Sequence, residues 1–182
     1  MREIMLPTVR GLAADGIYYR GFLYAGLMID AAGQPRVIEF NCRLGDPETQ
    51  PILFRLRSDL VDVCLSAFDG TLGDTALEWD SRATVGVVMA SRGYPDAYDK
   101  GKPIAGLDSP AGPDVKVFHA GTRMEGDKIV TDGGRVLCIV GAGATVRAAR
   151  DAAYRRARSI TWDGAFYRND IAHRAIVRED SR

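Results

Sequence analysis

The run from Arg36 to Gln50 constrains this chain more than any other stretch. It opens as Arg36-Val37-Ile38-Glu39-Phe40-Asn41, with the β propensity and alternation of a strand. It then passes into Arg43-Leu44-Gly45-Asp46-Pro47-Glu48-Thr49-Gln50, a polar loop pinned by glycine and proline. Upstream, Tyr18 to Asp30 is also rich in strand formers, and Ala31 to Pro35 reads as a turn, so the two strands are predicted to form a hairpin. Gly21 and Gly26 within the first strand suggest a bulge or a close backbone approach. Side chains on a strand alternate between faces, which puts Val37, Glu39 and Asn41 on one side. Ile38, Phe40 and Cys42 fall on the other, which is expected to pack on a core. Asp46-Pro47 has the form of a helix start, with Asp46 as N-cap. A helical pattern follows to Phe68, broken near Ser58, and Asp69-Gly70 ends it.

The rest predicts an α+β fold. A short helix spans Thr8 to Gly16. A second segment begins near Trp79, which places the boundary between residues 1–77 and a small β-rich domain at 78–182. Ala83 to Ala90 and Val115 to Thr122 read as strands. Between them, Arg92 to Pro113 carries Pro95, Pro103, Pro110 and Pro113 with Gly93, Gly101, Gly106 and Gly112, so it is mostly loop. Lys128 to Thr131 and Arg135 to Val140 flank Asp132-Gly133-Gly134, a hairpin signal. Thr145 caps a helix to about Ile160, with Val146, Ala149, Ala153, Ala157 and Ile160 inward. Its Arg147, Arg150, Arg155, Arg156 and Arg158 are mostly outward.

Charge and composition remove several functions. Lys plus Arg and Asp plus Glu are 24 each, so no net field favours nucleic acid or an anionic membrane, and the arginines of the late helix read as a solvated face. No apolar run approaches the ~20 residues that span a bilayer. Cys42, Cys64 and Cys138 are far apart and read as reduced, buried thiols of a cytoplasmic protein, and no CxxC pair suggests structural zinc. His119 and His173 have no chemical partners nearby in sequence and read as structural.

The chemistry gathers after the hairpin. Glu39 and Asn41 set two oxygen donors side by side, a pattern suited to a hard divalent cation that keeps phosphate oxygens as further ligands. Taken alone, such a pair is far more often what a half-exposed strand simply shows to solvent, and it is the polar loop after it that favours the ligand reading. Arg43 can hold a phosphate or carboxylate, and Asp46 and Glu48 can hold an amine. The plainer readings are an N-cap for Asp46 and a first-turn acid for Glu48.

The loop Arg43 to Gln50 resembles the signature of the phosphoribosylamine–glycine ligases, also called glycinamide ribonucleotide synthetases. Val37 to Cys42, Gly21 to Met28, Pro7 to Gly11, Gly86 to Ala90, Gly93-Tyr94-Pro95, Val117 to Thr122, Gly133 to Leu137 and Phe166 to Ile171 are similar to the same family, in the same order. The resemblance implies a C-terminal remnant of an ATP-grasp domain followed by a small β-rich domain. It implies that ATP phosphorylates glycine and that 5-phosphoribosylamine displaces phosphate from the glycyl phosphate, releasing ADP. It assigns Glu39 and Asn41 to Mg²⁺ or Mn²⁺, Arg43 to catalysis and substrate, and Asp46 and Glu48 to substrate. Residues 1–77 hold no lysine and no Gly-rich phosphate loop, so the N-terminal portion of such an enzyme is expected to be missing and the chain inactive alone, with apolar surface left uncovered. Another ATP-grasp ligase and a non-enzymatic binding or assembly module are the rival readings.

Overall fold

The computed structural model describes residues 1–181. In chain order it contains α1 (Met5–Ala14), β1 (Tyr24–Ile29), β2 (Pro35–Asn41), α2 (Thr49–Arg55), α3 (Leu60–Asp69), a 3₁₀ turn (Leu72–Asp74), β3 (Ala83–Ser91), β4 (Val115–His119), β5 (Thr122–Glu125), β6 (Lys128–Thr131), β7 (Arg135–Gly143), α4 (Val146–Arg158), β8 (Ala165–Phe166) and α5 (His173–Asp180). The chain divides into two compact units: Met1–Asp46 with Arg57–Glu78, and Pro47–Leu56 with Trp79–Arg182. The helix expected to follow Asp46 directly starts instead at Thr49, with Glu48 at the N-cap and no side-chain cap.

The first unit is built on the antiparallel β1–β2 hairpin. Asp30 closes its turn by accepting hydrogen bonds from the Ala32 and Gln34 amides at 3.0 and 2.9 Å. The register shifts once. Gly26 pairs with Glu39 but Leu27 pairs with Val37, so Ile38 is the extra residue of a bulge. The break between the two predicted helical stretches lies where α3 starts, capped by Asp59 accepting from the Val61 amide at 2.7 Å. Gly70, at φ 78°, ends α3 in the left-handed conformation that glycine adopts at least cost.

No core forms in this unit. Gly45 is its one buried residue among those described. Ile38 is 64% exposed and Phe40 43%, and Cys42 is exposed as well, which corrects the expectation that this face packs inward. Two strands and two short helices have too little layered surface to enclose it. Met28, Ile29, Val61, Leu65 and Phe68 are exposed too, so the uncovered apolar surface expected from the sequence is present. Cys64 is half-buried rather than buried.

The second unit holds a four-stranded antiparallel sheet in the order β4-β7-β3-β8. One face meets α4. Val87, Met89, Leu137 and Ile139 pack there with Ala153, Tyr154, Ala157 and Ile160 into the core. The other face carries Gly86 and Cys138, against which α2 sets Pro51. Helix α4 begins as predicted, with Thr145 Oγ1 accepting from the Ala148 amide at 3.1 Å. Arg156 is not outward. It is buried, and donates to the carbonyls of Gly106 and Leu107 at 2.9 Å each.

Residues 132–134 do not form the predicted hairpin. β6 pairs with β5, whereas β7 runs between β3 and β4. The Asp132 amide donates to the Gly121 carbonyl at 2.7 Å, and a Cβ on Gly133 would lie 2.8 Å from Gly121 Cα. The two glycines let the chain cross from the small sheet to the large one at a backbone-to-backbone approach.

Candidate functional site

The first unit carries Glu39, Asn41, Arg43 and Asp46, and the second carries Glu48. Cross-strand partners share a face, so Glu39 lies with Gly26 and Asn41 with Tyr24. The bulge at Ile38 alters what accompanies them. Val37 is carried to the opposite face with Leu27 and Phe40, and Arg36 joins Glu39 and Asn41. The expected Val37–Glu39–Asn41 face is therefore an Arg36–Glu39–Asn41 face, because one inserted residue reverses the alternation upstream of it. Arg36 is tethered to Asp30 at 3.4 Å.

Glu39 is exposed and Asn41 half-buried. Asn41 Nδ2 is enclosed with no hydrogen-bond partner among the described residues. The Glu39 carboxylate and the Asn41 side-chain oxygen, on one face of β2, fit the all-oxygen donor set of Mg²⁺ or Mn²⁺, whereas the unpartnered Nδ2 is a hydrogen-bond donor and takes no part in it. Gly26 leaves room for the Glu39 side chain. A Cβ there would stand 3.1 Å from Glu39 Cγ.

Beyond Asn41 the strand opens into the loop. Arg43 Nη1 donates to the Leu44 carbonyl at 2.8 Å, which folds the exposed guanidinium back along its own loop. Asp46 is exposed. Tyr19, absent from the sequence-based site, sits beside Cys42. Hydrogen bonding to Cys42, with desolvation and the Cys42 charge adding to it, raises the Tyr19 hydroxyl above its ordinary pKa. Nothing local in the sequence marks that approach.

In the second unit Glu48 lines a cavity of about 560 Å³ together with Pro51, Ile52, Arg55, Trp79 and Thr84. The Arg55 guanidinium is occupied by the Asp80 carbonyl, at 3.0 Å from Nε and 2.9 Å from Nη2. Thr84 Oγ1 donates to the Pro51 carbonyl at 2.9 Å and holds the start of α2 to β3. The histidines have local structural partners: His119 Nδ1 lies 3.0 Å from Thr122 Oγ1, and His173 Nδ1 lies 2.8 Å from the Asp170 carbonyl.

The strand face with a carboxylate and an amide and the polar loop after it fall in an ATP-grasp segment, and the antiparallel sheet with a helix packed on it falls in the domain that accompanies it. Residues 1–49 match the model of the phosphoribosylglycinamide synthetase ATP-grasp (A) domain, and residues 84–174, half of the chain, match the C domain of the same synthetase. The chain belongs to the phosphoribosylglycinamide synthetase family. It is 60% identical to the phosphoribosylamine–glycine ligase of Allochromatium vinosum over 100% of this chain and 42% of that protein. It is 56% identical to the Salmonella typhimurium ligase over the same shares of each. A crystal structure of the Thermotoga maritima phosphoribosylamine–glycine ligase matches with a TM-score of 0.77 at 39% identity, covering 90% of this chain and 40% of that one. The chain thus spans about two fifths of the length of the relatives it matches.

Proposed function

We propose that this chain serves the ATP-dependent joining of glycine to 5-phosphoribosylamine, giving glycinamide ribonucleotide, ADP and phosphate in purine biosynthesis. Residues 1–77 supply the metal strand and substrate loop of the ATP-grasp domain, and residues 78–182 form the small C-terminal domain, to whose compact unit residues 47–56 also belong. Glu39 and Asn41 hold Mg²⁺ or Mn²⁺. A cation held by these two residues would neutralise phosphate oxygens that otherwise repel an incoming carboxylate. Arg43 offsets the charge that develops on the glycyl phosphate, and Asp46 and Glu48 hold the amines of the substrates. The reaction belongs to the cytoplasm, consistent with three free cysteines. The observation that carries this reading is the placement of the Glu39 and Asn41 side chains on one face of β2, immediately before the loop that starts at Arg43.

The test is a chimera in which this chain replaces the matching segment of the Allochromatium vinosum ligase. It is expected to release ADP only when both glycine and 5-phosphoribosylamine are present. The chain alone is expected to release none, because residues 1–77 contain no lysine to hold ATP phosphates. Glu39→Ala in the chimera is expected to cut kcat/KM by roughly 10²-fold or more, about 3 kcal/mol of lost charge stabilisation. Undiminished turnover by that variant refutes the metal assignment.

A further inference from the structure

We infer that Gly26 is a positioning residue that sets the reach and direction of the Glu39 carboxylate. This rests on the reading of Glu39 as a metal ligand. Gly26 lies inside β1, where a glycine weakens a strand and needs a reason. Backbone conformation is not that reason, because Gly26 is not among the glycines with positive φ. Space is the reason. The three atoms nearest a Cβ at this position all belong to Glu39: Cγ at 3.1 Å, the carbonyl oxygen at 3.7 Å and Oε1 at 3.8 Å. By contrast, a Cβ on Gly11 in α1 would have nothing within 4 Å.

The Glu39 stem therefore lies over the bare Cα of its cross-strand partner. That keeps the carboxylate low on the face it shares with Asn41. An added methyl group lifts Cγ by a few tenths of an ångström. A valine brings two further carbons into the space the stem occupies and forces another rotamer. Mg²⁺ demands near-octahedral oxygens at about 2.0–2.1 Å, so a displacement of that size is felt as lost affinity. Gly26 touches no ligand itself and acts only through Glu39.

The experiment titrates Mn²⁺ into the chimera holding a non-hydrolysable ATP analogue, with free Mn²⁺ read by electron paramagnetic resonance. Thermal melts are run on the same samples. Gly26→Ala, Gly26→Val, Glu39→Ala and the control Gly11→Ala are compared with the parent. Gly26→Ala is expected to raise the Mn²⁺ dissociation constant several-fold, and Gly26→Val about tenfold or more, as loss of a ligand-orienting contact does. Gly26→Ala is expected to melt no lower than the parent, because alanine is the better strand residue. A glycine needed only for folding gives the reverse, a lower melt with Mn²⁺ affinity intact. Parent-like affinity in Gly26→Ala and Gly26→Val, with affinity lost in Glu39→Ala, overturns the positioning role and leaves the metal site standing. If Gly26→Val does not fold, parent-like affinity in Gly26→Ala is enough to overturn it. Parent-like affinity in Glu39→Ala removes the metal reading, and the inference with it.

Discussion

Gly141→Ala tests how α4 is seated on the large sheet. An added Cβ would stand 2.3 Å from the Ala149 carbonyl oxygen and 2.6 Å from the Ala153 amide nitrogen. Ordinary contact begins near ~3.5 Å, so the helix must withdraw by about 1 Å. The obstacles are backbone atoms of a helix whose Ala149, Ala153 and Ala157 are fully buried, and no side chain can rotate away. Withdrawal by about 1 Å forfeits a quarter to a half of each contact along the seam. Overpacking costs ~1–3 kcal/mol, and a backbone obstacle puts this case near ~3 kcal/mol. At roughly 4 °C per kcal/mol, Tm falls by about 12 °C, read by circular dichroism at 222 nm. Gly86→Ala on the opposite face is the control. Its Cβ would meet Cys138 Sγ at 3.3 Å and Pro51 carbons at 3.5 Å, close to ordinary contact, so Tm is expected to stay within about 3 °C. A Gly141→Ala protein melting within about 2 °C of the parent refutes the direct seating of α4 backbone on β7.

Two further perturbations probe the second unit. Arg156→Met keeps the apolar stem but leaves the Gly106 and Leu107 carbonyls without their donor, and is expected to cost about 3 kcal/mol. Arg156→Lys is not expected to restore it, because a single ammonium cannot serve the forked set of acceptors, and an unchanged urea midpoint in either variant refutes this. Asp170 accepts from Arg168, and that hydrogen bond holds its carboxyl below the ordinary range. A depressed folded pKa contributes stability that is present above the unfolded value of about 3.9 and is lost as pH falls through the lower folded value. Asp170→Asn is therefore expected to be slightly less stable than the parent at pH 7, with the gap closing in acid. A gap of the same size at all pH, from urea midpoints, contradicts the ion pair.

Much of this architecture is legible in short stretches of sequence. The β1–β2 hairpin follows from its strand formers and turn, and Gly26 carries a signal of close approach that the structure explains through Glu39. Thr145 marks the start of α4, and the alanine spacing marks its inner face. That Glu39 and Asn41 share a face is legible because both lie downstream of the bulge, where the two-residue period still holds.

Tertiary structure decided the rest. The bulge at Ile38 exchanges Val37 for Arg36 on the face of Glu39 and Asn41, and only the pairing with β1 creates it. Asp132-Gly133-Gly134 has the composition of a hairpin, yet β7 finds better partners in β3 and β4, distant in sequence. Arg156 looks like one more solvent-facing arginine until the carbonyls of Gly106 and Leu107 arrive beneath it. Ile38 and Phe40 read as core, and stay exposed because no second layer covers their face. Periodicity, capping and turn chemistry act over a few residues and are written in order along the chain. Register, burial and the choice between strand partners depend on surface that other segments must bring, and a local pattern holds no record of that surface.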